Sequence, residues 1–215
     1  MGQRIKAMAR RKDHTREELK NLILEMSWRL VGKEGPQGLT ARRLADAIGY
    51  APGTIYNVFP SMDALYLQVN ARTLDLLHGV LASPACHDAK KTPVQNMKKM
   101  AQLYRSFAQD MRPYWLMLFS HDLPETREVE PWYQEKIDRL FTSLEILLAP
   151  TFSGKQQRKM KMAARILWAS THGLCFLEET GKMPKLDGES AFESMANYLI
   201  DSFVIGMKTA PVAQE

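Results

Sequence analysis

Apolar residues recur three and four positions apart along nearly the whole chain, and no stretch alternates in the two-residue manner of a half-buried strand. That pattern predicts an all-α protein. A first helix begins after Thr15, because Thr15-x-x-Glu18 reads as a capping box whose hydroxyl and carboxylate satisfy open amides at a helix start. Leu19, Leu22, Ile23, Met26 and Leu30 then form one apolar face, and Gly35, Pro36 and Gly38 end the helix. A short helix follows from about Thr40 to Ile48, with Leu44, Ala45 and Ile48 inward. Gly49 tolerates the positive φ that a sharp turn between two helices needs. Pro52 suits the first turn of the next helix, which stops near Phe59, and Ser61 caps a fourth that reaches about Leu81. Beyond a Pro-containing polar break from Ser83 to Thr92, further helices are expected at about 93–110, 112–121, 130–149, 155–181 and 189–208. Pro113, Pro124, Pro131, Pro150 and Pro184 fall at or near their boundaries.

These elements group into an expected order: a basic, mobile arm over 1–14, a three-helix helix-turn-helix unit over 15–60 and a connecting helix over 61–82. A larger helical domain for regulation and dimerisation would fill 83–208, with a mobile tail over 209–215. At 215 residues and 45% hydrophobic content the chain can build an ordinary core.

Charge sharpens the picture at one end. The net charge is +5, and Met1 to Arg16 alone carries Arg4, Lys6, Arg10, Arg11, Lys12 and Arg16 against a single acid, Asp13. The whole excess therefore sits in the first sixteen residues, almost all of it in the arm. Beside a unit that reads DNA, such an arm is suited to neutralising phosphates.

Leu39 to Leu65 reads LTARRLADAIGYAPGTIYNVFPSMDAL, two short helices joined by a tight turn. Packed at a steep angle, they leave the second free to enter a major groove. Ile55 and Phe59 lie four apart and should face the core with Leu44 and Ile48. The opposite face carries Pro52, Gly53, Thr54, Tyr56 and Asn57, small or hydrogen-bonding groups fitted to close approach. Arg42 and Arg43, on the preceding helix, can supply cationic contacts.

This segment resembles the TetR family of bacterial transcriptional regulators, through Leu39-Thr40, Leu44-Ala45, Gly49, Gly53-Thr54-Ile55-Tyr56, Phe59, Ser61 and Leu65 at ungapped spacing. The resemblance implies that Thr40 and Tyr56 touch phosphates and that Arg42, Gly53, Thr54 and Asn57 lie at or near the bases. Two positions depart from the family pattern. Ala51 stands where a small hydroxyl residue usually caps the recognition helix, weakening that cap by ~1 kcal/mol. Met62 stands where a lysine is usual.

Further along, Trp168-Ala-Ser-Thr-His172-Gly173 is similar to the W-x-x-x-H-G signature of one C-terminal domain type among these regulators, and Arg112 to Phe119 looks like the segment such domains carry before their long helices. The resemblance implies a regulatory domain that dimerises through its last two helices. Periodicity agrees, since the 155–181 helix is apolar around most of its circumference and needs cover on more than one side. Tyr104, Phe107, Trp115, Phe119, Trp168, His172 and Phe176 are the candidate walls of an apolar effector pocket, with ordinary core as the alternative.

Several classes are excluded or unsupported. His14, His78, His87, His121 and His172 form no metal-binding spacing with Cys86 and Cys175, and no phosphate-cradling glycine loop or nucleophile constellation appears. No enzyme, metal or cofactor is therefore expected. No apolar run suffices to cross a membrane, and the arm lacks the apolar segment of a signal peptide, so a cytoplasmic protein is expected. The expected partners are double-stranded DNA carrying a palindromic operator, a second copy of the chain and a small-molecule effector. The leading expectation is a repressor released by a small, largely apolar ligand. The alternative is a helix-turn-helix regulator governed by a partner protein or by no effector.

Overall fold

The structure, a computed structural model, describes residues 14–120, 129–152, 156–183 and 191–209. Among them every regular element is helical, as the apolar spacing predicts. The chain divides into two compact units, Met1–Tyr66 and Leu67–Glu215. Most of the expected arm and tail, residues 1–13 and 210–215, lies outside the described residues.

In the first unit α1 spans Arg16–Glu34, α2 Ala41–Ile48 and α3 Pro52–Val58. The capping box forms: the Glu18 amide donates to the Thr15 hydroxyl at 3.3 Å, and the Thr15 amide donates to the Glu18 carboxylate at 2.8 Å. Hydrogen bonds from the Thr15 backbone and side chain hold the Glu18 carboxyl below its ordinary range. The face of α1 differs from the expected one. Leu19, Leu22, Met26 and Leu30 are only half-buried, whereas Ile23, Ser27 and Val31 form the deepest stripe. Ser27 tolerates that place because its hydroxyl donates to the Ile23 carbonyl one turn back, at 2.7 Å. Leu39, Leu44, Ala45, Ile55, Phe59 and Leu65 complete the buried apolar set of this unit.

The helix α4 spans Met62–Leu81 and begins where the Ala64 amide donates to the Ser61 hydroxyl at 3.1 Å. The second unit adds α5 (Pro93–Asp110), α6 (Arg112–Ser120), α7 (Pro131–Leu148), α8 (Gln157–Glu179) and α9 (Phe192–Thr209). A second capping box, Thr92 with Gln95, starts α5. The core gathers around α5, which packs against α6, α7, α8 and α9. Trp115, Phe192 and Leu148 are almost wholly removed from solvent there. Charges close the rim of the bundle by joining different helices. Arg105 of α5 grips Glu178 of α8 with two bonds of 2.6 and 2.8 Å, and Lys98 of α5 meets Asp201 of α9 at 2.7 Å. Among the described residues no helix is long and apolar enough to cross a membrane.

Candidate functional site

Thr40 opens α2 with its hydroxyl accepting from the Arg43 amide at 3.3 Å. Gly49 closes it in the left-handed region, at φ 76° and ψ 32°, and so supplies the sharp bend. The third helix then starts at Pro52 with no side-chain cap from Ala51, the weakness that an alanine there predicts. Ile55 and Phe59 turn inward, 1% and 4% exposed. Pro52, Gly53, Tyr56 and Asn57 face solvent and Thr54 is half-buried, with Tyr56 at 50% exposure. A β-carbon on Gly53 would meet no atom within 4 Å, so the backbone there is open to a large ligand. On α2, Thr40, Arg42 and Arg43 are exposed, and Arg43 pairs with Glu34. The face of α3 that points outward holds no charged side chain, and its polar groups are a hydroxyl, a phenol and a carboxamide.

In the second unit a cavity of about 300 Å³ opens between α4, α5, α6, α7, α8 and α9. Its wall includes Leu74, Leu77 and Leu81 of α4, Ile137 and Leu140 of α7, and Leu167 of α8. Of the residues expected to line a pocket, Tyr104, Phe119 and Trp168 do so, and Phe107, Trp115, His172 and Phe176 do not. The four outside have separate duties. Phe107 and Trp115 are core, at 7% and 0% exposure, and Phe176 lies at the surface. His172 stacks flat on Trp168, with ring centroids 5.2 Å apart, and lies behind the wall. Its Nδ1 is 2.8 Å from the Tyr104 hydroxyl, and burial lowers its pKa so that the neutral imidazole prevails. Spacing alone could not separate these residues, because all seven sit on apolar helix faces. Tyr133 and Thr171, which were not among the expected lining residues, also line the cavity.

No group of His, Cys, Asp and Glu among the described residues could hold a metal ion. Both cysteines are buried free thiols, and burial pushes that of Cys175 up to about 12.

The geometry has counterparts in known proteins. Residues 23–69 match the model of bacterial regulatory proteins of the tetR family, and residues 97–202 match that of the tetracyclin repressor-like C-terminal domain. The chain belongs to the TetR family. A curated relative, an uncharacterized HTH-type transcriptional regulator of Mycobacterium tuberculosis, is 26% identical over 202 residues, covering 90% of this chain and 84% of that one. Two solved structures from Rhodococcus sp. RHA1 share the fold. One, described as a protein with unknown function, has a TM-score of 0.65 at 19% identity, covering 92% of this chain and 98% of its own. The other, a TetR-like transcriptional regulator, has a TM-score of 0.57 at 16% identity, covering 92% of this chain and all of its own.

As a TetR-family member the protein is a DNA-binding transcriptional regulator, and its relatives are regulators rather than enzymes. Regulators of the TetR family act as dimers. The matching C-terminal model is the tetracyclin repressor-like one, and its span includes the Trp168 to Gly173 segment.

Proposed function

We propose that the protein is a cytoplasmic, homodimeric repressor that leaves a palindromic operator when a small, largely apolar compound fills the cavity of its second unit. The carrying observation is the cavity itself, about 300 Å³ of apolar-walled space among the helices of the second unit. A fully packed core would favour control by a partner protein or no effector at all. One continuous helix, α4, is capped at Ser61 beside the helix-turn-helix and supplies Leu74, Leu77 and Leu81 to the cavity wall. A ligand that prefers one setting of α4 over another shifts the population of dimers able to span two half-sites.

In this reading Thr40 and Tyr56 hold phosphates, with Arg43 and Pro52 beside them, and Arg42, Gly53, Thr54 and Asn57 approach the bases. The second copy covers α8 and α9, which carry Met162, Ile166, Tyr198 and Ile205 at 46–76% exposure. We assign these roles to an arm, a helix-turn-helix, a connecting helix and a regulatory domain with limits at 14, 60, 82 and 208.

An electrophoretic shift assay with the DNA upstream of the protein's own gene tests both halves. The reading expects a complex competed by that duplex and not by unrelated DNA, and dispersed by a compound that fills the cavity. Equal competition by unrelated duplex ends the operator half. A complex indifferent to every cavity-filling compound ends the effector half.

A further inference from the structure

We infer that the cavity admits only uncharged ligands, and that the hydroxyls of Tyr133 and Thr171 hold the single hydrogen-bond acceptor such a ligand carries. This rests on the reading of the cavity as an effector site and deepens it to a ligand class.

Among the described residues the wall contains no lysine, arginine, histidine, aspartate or glutamate. Four cations on the helices that form the cavity are paired with carboxylates outside its wall: Arg105 with Glu178, Arg165 with Glu145, and Lys136 and Arg139 with Asp75. A carboxylate or ammonium entering this space would shed its hydration with no opposite charge to meet. Charged ligands are therefore rejected.

The polar atoms of the wall divide into used and unused. Tyr104 is used. Its oxygen accepts from Trp115 Nε1 at 3.1 Å and from the Trp168 side chain, and its proton goes to His172. Tyr133 is different. Its hydroxyl is bonded by the side chain of Asn70, whose Oδ1 is buried without a partner, so the bond uses the amide nitrogen and the phenol oxygen accepts. The Tyr133 proton is left with no acceptor among the described residues. Thr171 likewise makes no hydrogen bond to a described residue, though it is only 8% exposed and borders the cavity. Two hydroxyl donors from α7 and α8 thus meet an otherwise apolar space. A neutral ester, ketone, amide or alcohol oxygen on an apolar body completes them. A cavity of 150 Å³ holds benzene, so one of about 300 Å³ fits roughly a dozen non-hydrogen atoms.

The test is calorimetric titration of the full-length protein at pH 7.5 with four probes of one size: 4-phenylbutanol, butylbenzene, 4-phenylbutyrate and 4-phenylbutylamine. The two neutral probes are expected to bind, and the anion and cation at least 100-fold more weakly. Tyr133→Phe and Thr171→Val should each weaken 4-phenylbutanol about fivefold to tenfold and leave butylbenzene unchanged, which separates a lost donor from a collapsed cavity. Binding of either charged probe within tenfold of the alcohol overturns the inference, as does failure of both neutral probes to bind below millimolar concentration. These titrations contain no DNA. A protein that binds the neutral probes yet keeps its grip on the operator would refute the repressor-release reading alone.

Discussion

The Tyr104 hydroxyl and His172 Nδ1 lie 2.8 Å apart and join α5 to α8 behind the cavity wall. The phenol oxygen accepts from the indole of Trp115 at 3.1 Å and from the Trp168 side chain, which leaves its own proton for Nδ1 of the neutral imidazole. One oxygen therefore satisfies several buried polar groups at once. Tyr104→Phe keeps the ring and orphans its partners, so it should destabilise the protein by about 1–3 kcal/mol. A thermal or urea melt against wild type measures it, and an unchanged midpoint would mean that the hydroxyl is not needed.

His172 gives stability a pH dependence of known sign. Burial depresses its folded pKa below the ordinary 6.5, so between the two values the unfolded chain binds a proton that the folded chain refuses. Stability should be level above pH 7, fall as pH drops through about 6.5, and stop falling below the folded value. Melts from pH 5 to 7.5 on wild type and His172→Gln should show this component only in wild type.

Asn57 is exposed on α3, whose outward face holds no charge. Its carboxamide can pair with adenine N6 and N7 in a major groove. Asn57→Ala should cost about 1–3 kcal/mol of operator affinity and relax preference at one base pair per half-site, while the melting temperature stays the same. Shift assays on single-pair operator variants would reveal it. Loss of affinity that is uniform across all the variants would assign Asn57 to the phosphates instead.

The proposed dimer face can be broken without harming the protomer. Ile166 of α8 is 46% exposed and Ile205 of α9 is 62% exposed, so a glutamate at either stays in water within one chain. Ile166→Glu combined with Ile205→Glu should give a folded monomer by sedimentation, with helical content intact and operator binding reduced at least tenfold. Persistent dimers would move the interface elsewhere.

The helix boundaries were legible where their signals are local: the capping box at Thr15, a left-handed glycine at 49, and prolines at 52 and 131 all act within one turn. The inward face of α3 was legible as well, since Ile55 and Phe59 are apolar among polar neighbours. Depth within an apolar region was not. Ser27 is as buried as Ile23 because a carbonyl one turn away satisfies it, a relation that hydropathy does not register. The cavity was half legible for a related reason. Tyr104, Trp115 and Trp168 are equivalent as periodic aromatics, yet Trp115 is filled around on every side and the other two border a gap. A gap is a property of what several helices fail to occupy together. Tyr133 escaped notice because its neighbour Asn70 is on α4, far away in sequence.

If the proposed effector enters a cavity whose described walls carry no ion, the two halves of the protein answer to different solution variables. Gripping a polyanion displaces its condensed ions, so operator affinity falls steeply as ionic strength rises. A neutral guest among leucines and aromatics displaces only water, and its hold is indifferent to added KCl. More guest would then be needed to clear the same operator in dilute buffer than in concentrated buffer, although the guest's own affinity had not changed.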